Sequence, residues 1–162
     1  MGCRKLTTAA TLSILLLTGC SSMSQSGLPD DAVIEYRFND SSVPPQYHRS
    51  YDLIVDRENT RIVIDSYGDV LADKSVPTTD AVWTSLSTGF ADVEQATSAS
   101  SEAGCTGGTS SSVKVLAGDT TLVDIFEERC GDSPTTDVID TWIAPARELL
   151  PPTSELAPES QD

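Results

Sequence analysis

Apolar side chains at every second position dominate residues 33–67, and no other feature of the chain limits its fold as tightly. Residues 33–38 alternate well enough for a first strand, closed by the turn-forming cluster at 39–45. Residues 47–56 and 60–67 then read as a hairpin. With Glu58-Asn59 as a two-residue loop, Tyr51, Leu53 and Val55 share a face with Ile62 and Ile64. A slip of one residue would set that row against polar side chains, so the parity is strongly determined. The same register puts Asp52 almost opposite Asp65, and Asp56 opposite Arg61. Opposed carboxylates are unfavourable unless solvent or a cation separates them. Gly68 and Asp69 mark a turn before a short strand at 70–72.

The period then changes. Thr79 is placed to cap a helix over 80–93, with Asp80 in its first turn. Val82, Trp83, Leu86 and Phe90 form one stripe at helical spacing. Residues 94–112 are rich in Ser, Thr and Gly and read as a long loop. Residues 113–117, a Gly118-Asp119 turn and residues 121–127 predict a second hairpin. A last helix is expected over 136–150, with Pro145 either kinking it or starting a second segment. Strands, helix, strands, helix is the order of an α+β domain: a small antiparallel sheet with two helices on one face. Trp83 and Trp142 are the bulky residues of that layer and read as core anchors.

Charge excludes several roles. The 162 residues carry 10 Lys plus Arg against 25 Asp plus Glu, a formal −15. Such a chain lacks the clustered cations that phosphate neutralisation needs, so nucleic acid is not an expected partner. Adhesion to anionic lipid by charge is disfavoured for the same reason.

The N-terminus reads as an address. Arg4 and Lys5 precede an apolar run at 6–17, which ends in Leu17-Thr18-Gly19-Cys20. A positive start, a short apolar stretch and a small-residue exit describe a secretory signal, and the run is too short to span a bilayer. Met-Gly-Cys is no myristoylation motif, because position six is Leu where Ser or Thr is required. Leu-Thr-Gly-Cys resembles the lipobox of bacterial lipoproteins. That resemblance implies diacylglycerol on the Cys20 thiol, cleavage before it, and two buried acyl chains as a stable anchor. It also implies a cell-membrane or outer-membrane location facing away from the cytoplasm; Ser21 after the cysteine leans towards the outer membrane where there are two. Without residues 1–19 the chain keeps 8 basic against 25 acidic residues, or −17. Residues 20–31 then read as lipidated N-terminus and flexible tether, 32–150 as one α+β domain, and 151–162 as a Pro- and acid-rich tail that frays or lies over the surface.

Cys3 leaves with the signal and Cys20 takes the lipid, so Cys105 and Cys130 remain. Two thiols in an oxidising compartment predict one disulfide. Closing about 26 residues is worth roughly 3.5 kcal/mol in the chain-entropy account. No Cys-x-x-Cys occurs, and two Cys with one His are too few for a closed zinc site. Neither metal nor cofactor is expected.

Motifs for hydrolysis, phosphate binding or dinucleotide binding are missing from the sequence. His48 is the one histidine, and the hairpin register places it near the solvated end of its strand. The segment 43–51 gathers basic and aromatic side chains in an otherwise acidic chain. Pro44, Pro45, Tyr47, His48 and Arg49 are therefore the candidate binding surface. Gly107-Gly108 after Cys105 is explained by a tight turn. Tyr36-Arg37-Phe38, the His48 strand, Asp65-Ser66-Tyr67-Gly68-Asp69, Cys105-Thr106-Gly107-Gly108 and Cys130-Gly131 make the domain look like small uncharacterised lipoproteins of GC-rich bacteria. Its element order also resembles emfourin-type metalloprotease inhibitors. Those resemblances imply a non-enzymatic binding or inhibitory module, with a protein partner in the envelope or a secreted protease. Two other readings stay open: an envelope hydrolase using His48 with a Ser or Asp, and a structural envelope protein.

Overall fold

The alternating pattern resolves into one six-stranded antiparallel sheet. The computed structural model describes residues 27–96, 107–129 and 134–159. In chain order the elements are β1 (Ala32–Asn39), β2 (Ser50–Val55), β3 (Asn59–Ser66), β4 (Asp69–Pro77), α1 (Asp80–Gln95), β5 (Thr109–Ala117), β6 (Thr120–Arg129), α2 (Pro134–Arg147) and the single turn α3 (Thr153–Leu156). The sheet runs β4-β3-β2-β1-β5-β6. β1 thus lies inside, between its sequence neighbour β2 and the distant β5.

The predicted parity holds, and the register moves by two. Tyr51 pairs with Ile64 and Leu53 with Ile62. The loop residues are Arg57-Glu58, because Asp56 Oδ1 accepts from the backbone N–H of both Glu58 and Asn59, and Asp56 N–H donates to the Asn59 carbonyl. An aspartate that folds back on its own turn in this way outcompetes the Glu58-Asn59 alternative. β4 extends to Pro77, well beyond the expected 70–72. The Gly118-Asp119 turn is observed, with Ala117 opposite Thr120.

One face of the sheet carries Ile34, Tyr36, Leu53, Ile62, Ile64, Val113 and Val115, all buried. Both main helices cover that face. Thr79 caps α1, its hydroxyl accepting from Val82 N–H, and Leu86, Phe90 and Val93 point inwards. Trp142 donates its indole N–H to the Leu86 carbonyl at 2.7 Å, and both tryptophans are buried as expected. α2 starts at Pro134 and runs two residues past Pro145, so the proline sits inside the last turn. Pro145 has no N–H to give the carbonyl four residues earlier, so the last turn lacks one of its hydrogen bonds.

Where β6 ends, a polar cluster ties α2 to the sheet. Arg129 grips Asp140 with two nitrogens, at 2.6 and 2.8 Å, while Tyr36 donates its hydroxyl to the same carboxylate and Arg147 donates to Tyr51. Burial, then the nearby Tyr51 and Asp140, push the Tyr36 phenol well above its ordinary range, against the pull of Arg129.

Both ends of the described residues are more firmly held than their composition suggests. Leu28, inside the expected tether, is buried and donates its N–H to Ser87 of α1. In the expected tail, Ala157 is buried and α3 lies on the surface.

Candidate functional site

Between β1 and β2 the chain crosses the end of the sheet as a strap, residues 40–49, and the candidate residues lie on it. Asp40 closes the strap: one carboxylate oxygen accepts Ser41 N–H at 2.8 Å and the other accepts Arg49 N–H at 2.9 Å. Its own N–H donates to Ser50 Oγ at 3.0 Å. At the apex Tyr47 N–H bonds the Pro44 carbonyl, a turn with Pro45 at the position where a fixed φ helps most.

The β3–β4 turn fastens the strap from beside. Tyr67 and Gly68 have φ of 52° and 93°, the left-handed pair that a tight two-residue hairpin demands. Glycine adopts this freely, whereas a tyrosine does so only where its surroundings hold it. Those surroundings are visible: Tyr67 stacks on the His48 ring at 4.0 Å and donates its hydroxyl to the Val43 carbonyl, while Ser66 donates to the Pro45 carbonyl.

The predicted surface splits into three. Pro44, Pro45 and Tyr47 are exposed. His48, expected near solvent, is only 5% exposed because Tyr67 covers it. Its Nε2 lies 3.2 Å from Ser50 Oγ, and its Nδ1 is buried with no hydrogen-bond partner. Since Ser50 Oγ already accepts Asp40 N–H, the best-satisfied arrangement has the serine donating to Nε2. Arg49 points away from solvent partners and is spent on carbonyls: Ala157 at 2.8 Å, Pro158 at 2.7 Å, His48 at 2.7 Å. It is a clamp on the C-terminal segment. Cys20, Cys105 and Cys130 lie outside the described residues.

Behind the strap, on the sheet face that the helices leave open, is a cavity of about 450 Å³ lined by Arg37, Asp52, His48, Asp65, Tyr67 and Val70 among others. Arg37 organises it. Its Nη1 sits 2.8 Å from Asp52 and 2.7 Å from Asp65, and its Nε donates to Asn39 at 3.0 Å. The expected opposition of Asp52 and Asp65 does not form, since Asp52 pairs with Val63 and Asp65 with Ser50; the two carboxylates lie diagonally, and the cation between them arrives from β1. Burial alone would raise the Asp65 pKa, but Gly68 N–H and the Arg37 guanidinium outweigh it, so the carboxyl sits below its usual range. The sequence singled out the two aspartates for their charge, while Arg37 and Tyr67 entered only within stretches that carry a resemblance and were given no role in a site. Only the β1–β2 pairing, Arg37 opposite Asp52, brings the arginine in.

A larger groove of about 590 Å³ runs between α1 and α2 over Gly89 and Trp142. No candidate residue reaches it. Among the described residues no three of His, Cys, Asp or Glu group to hold a metal ion, and no helix is long and apolar enough to cross a membrane. The sequence matches no family model and no curated protein.

Proposed function

We propose that this chain is a lipoprotein of the bacterial cell envelope, anchored through Cys20, whose domain is a non-enzymatic binding or inhibitor-like module. One observation carries the binding reading: the Pro44-Pro45-Gln46-Tyr47 turn holds its side chains in solvent while its backbone is fastened by Ser66, Tyr67 and Asp40. A protrusion ordered in advance loses little entropy on binding, and proline beside an exposed tyrosine suits a protein partner. The hydrolase reading is less well supported. Ser50, the hydroxyl that His48 touches, is 2% exposed and already engaged by Asp40 N–H, which counts against its use as a nucleophile.

A photo-crosslinking residue at Tyr47 in growing cells tests the surface, with Asp119 on the β5–β6 turn as control. A discrete adduct from position 47 alone is expected; none, or equal adducts from both, overturns the proposal. Cys20→Ala should abolish lipid labelling and leave a precursor or a released protein, and normal labelling would sink the anchor. The module also includes a Cys105–Cys130 disulfide. Thr109 pairs with Arg129, so short chain segments separate both cysteines from one rung of the β5–β6 ladder. Thiol titration of denatured, unreduced protein should then find neither thiol of this pair.

A further inference from the structure

We infer that the cavity behind the strap is a saccharide site, taking a neutral ring whose hydroxyl edge meets Arg37 and Asp52 and whose C–H face meets Tyr67 and Val70. The inference stands apart from the protein-binding turn, and either can fail alone.

The hydrogen-bond accounting leads there. Most polar groups of the cavity are already satisfied within the chain. Asp40 is occupied by Ser41 and Arg49, and Asp65 by Gly68 and Arg37. Asn39 is occupied by Arg37 and Ser110. Three groups are left over among the described residues: His48 Nδ1, which is buried beneath Tyr67, and two that a ligand can reach, Arg37 Nη2, which makes no hydrogen bond, and Asp52 Oδ1, on a side chain 45% exposed. The last two belong to one ion pair, Arg37 Nη1 to Asp52 Oδ2 at 2.8 Å, so a donor and an acceptor are neighbours.

Charge removes anions, and the unanswered Arg37 donor argues against cations. An anion could take the donor but would face Asp40, Asp52 and Asp65 against one guanidinium. A cation could take the acceptor but would sit against Arg37 and leave Nη2 unanswered. A neutral ligand carrying both donors and acceptors satisfies both groups, and adjacent hydroxyls on a ring do this at the required closeness. The remaining wall is apolar. Tyr67 is 56% exposed and Val70 64% exposed, beside the polar pair. Polarised C–H groups pack well on the negative face of an aromatic ring. Tyr67 is also fixed by the His48 stack and the Val43 hydrogen bond, so the platform needs no reordering.

The test uses the full chain in detergent and a panel of neutral, acidic and amino oligosaccharides, with spermine as the cationic probe. Saturable binding of at least one neutral oligosaccharide is expected, weakened tenfold or more by Asp52→Ala and by Val70→Lys. Both side chains are solvent-accessible, so these variants keep the fold. Tyr67→Phe keeps the ring and should retain binding, whereas Tyr67→Ala should lose it. Binding of only acidic glycans or spermine overturns the inference. So does binding that these substitutions leave unchanged, or no binding across the neutral panel.

Discussion

Arg37 is the residue on which the open face depends. It neutralises two aspartates that β2 and β3 would otherwise bring together, one of them buried. Arg37→Met, similar in length and uncharged, should cost about 2–3 kcal/mol at neutral pH, because it leaves a buried carboxylate without its partner. The pH dependence follows from Asp65. Its depressed folded-state pKa makes a stabilising contribution that is complete above the ordinary carboxylate value, about 3.9, and is lost as pH falls through the lower folded value. The stability gap between wild type and variant should therefore narrow from neutral pH down to about pH 3. Urea unfolding at several pH values measures it; a gap that does not change with pH would separate Arg37 from Asp65. His48 shows the opposite lesson about single residues. Being the one histidine drew attention to it, yet its ring is sealed under Tyr67, where it serves as the floor on which that tyrosine rests.

At the scale of elements, two contacts set the packing and each is testable. Gly89 lies on α1 where an added Cβ would come 2.9 Å from Trp142 Cδ1. Helix propensity alone favours Gly89→Ala by about 1 kcal/mol. The clash should reverse that sign and leave a net loss of about 1–3 kcal/mol, seen as a lower Tm; a rise would mean that Trp142 gives way. Arg49 fastens the segment after α2 through the Ala157 and Pro158 carbonyls. Arg49→Ala should cost about 1–3 kcal/mol and open residues 151–159 to limited proteolysis, read by mass spectrometry. The elements also show what a sequence can convey. Both hairpins, the capped α1 and the side of each strand that faces inwards were legible, because burial writes a period of two or of 3.6 into the chain. β4 was legible only at its start. Most of its residues are exposed, so no alternation marks it, and pairing with β3 is what defines it. The tail was misjudged in strength because proline and acid content carries no sign of a buried Ala157. The cavity was half legible: two aspartates were visible, while the arginine between them needed a pairing between strands that only the fold supplies.

The whole molecule is governed by its excess of acid. Five ion pairs among the described residues are local, while a formal −15 repels itself across the entire body. Raising monovalent salt from about 0.01 to 0.15 M shortens the screening length from roughly 30 to 8 Å. The Tm of the full chain should rise over that range by a few degrees; a fall would show that the ion pairs outweigh the self-repulsion. The docking of Leu28 on α1 has a consequence for orientation. Leu28 enters just before β1 begins, and the strap leaves where β1 ends, so the two are separated by the length of an eight-residue strand, roughly 25 Å. From Cys20 to Gly27 the chain can extend at most about 25 Å. Under the proposed anchor at Cys20, the Leu28 end would lie towards the bilayer, and the strap, its proline turn and the cavity behind it would crown the opposite pole.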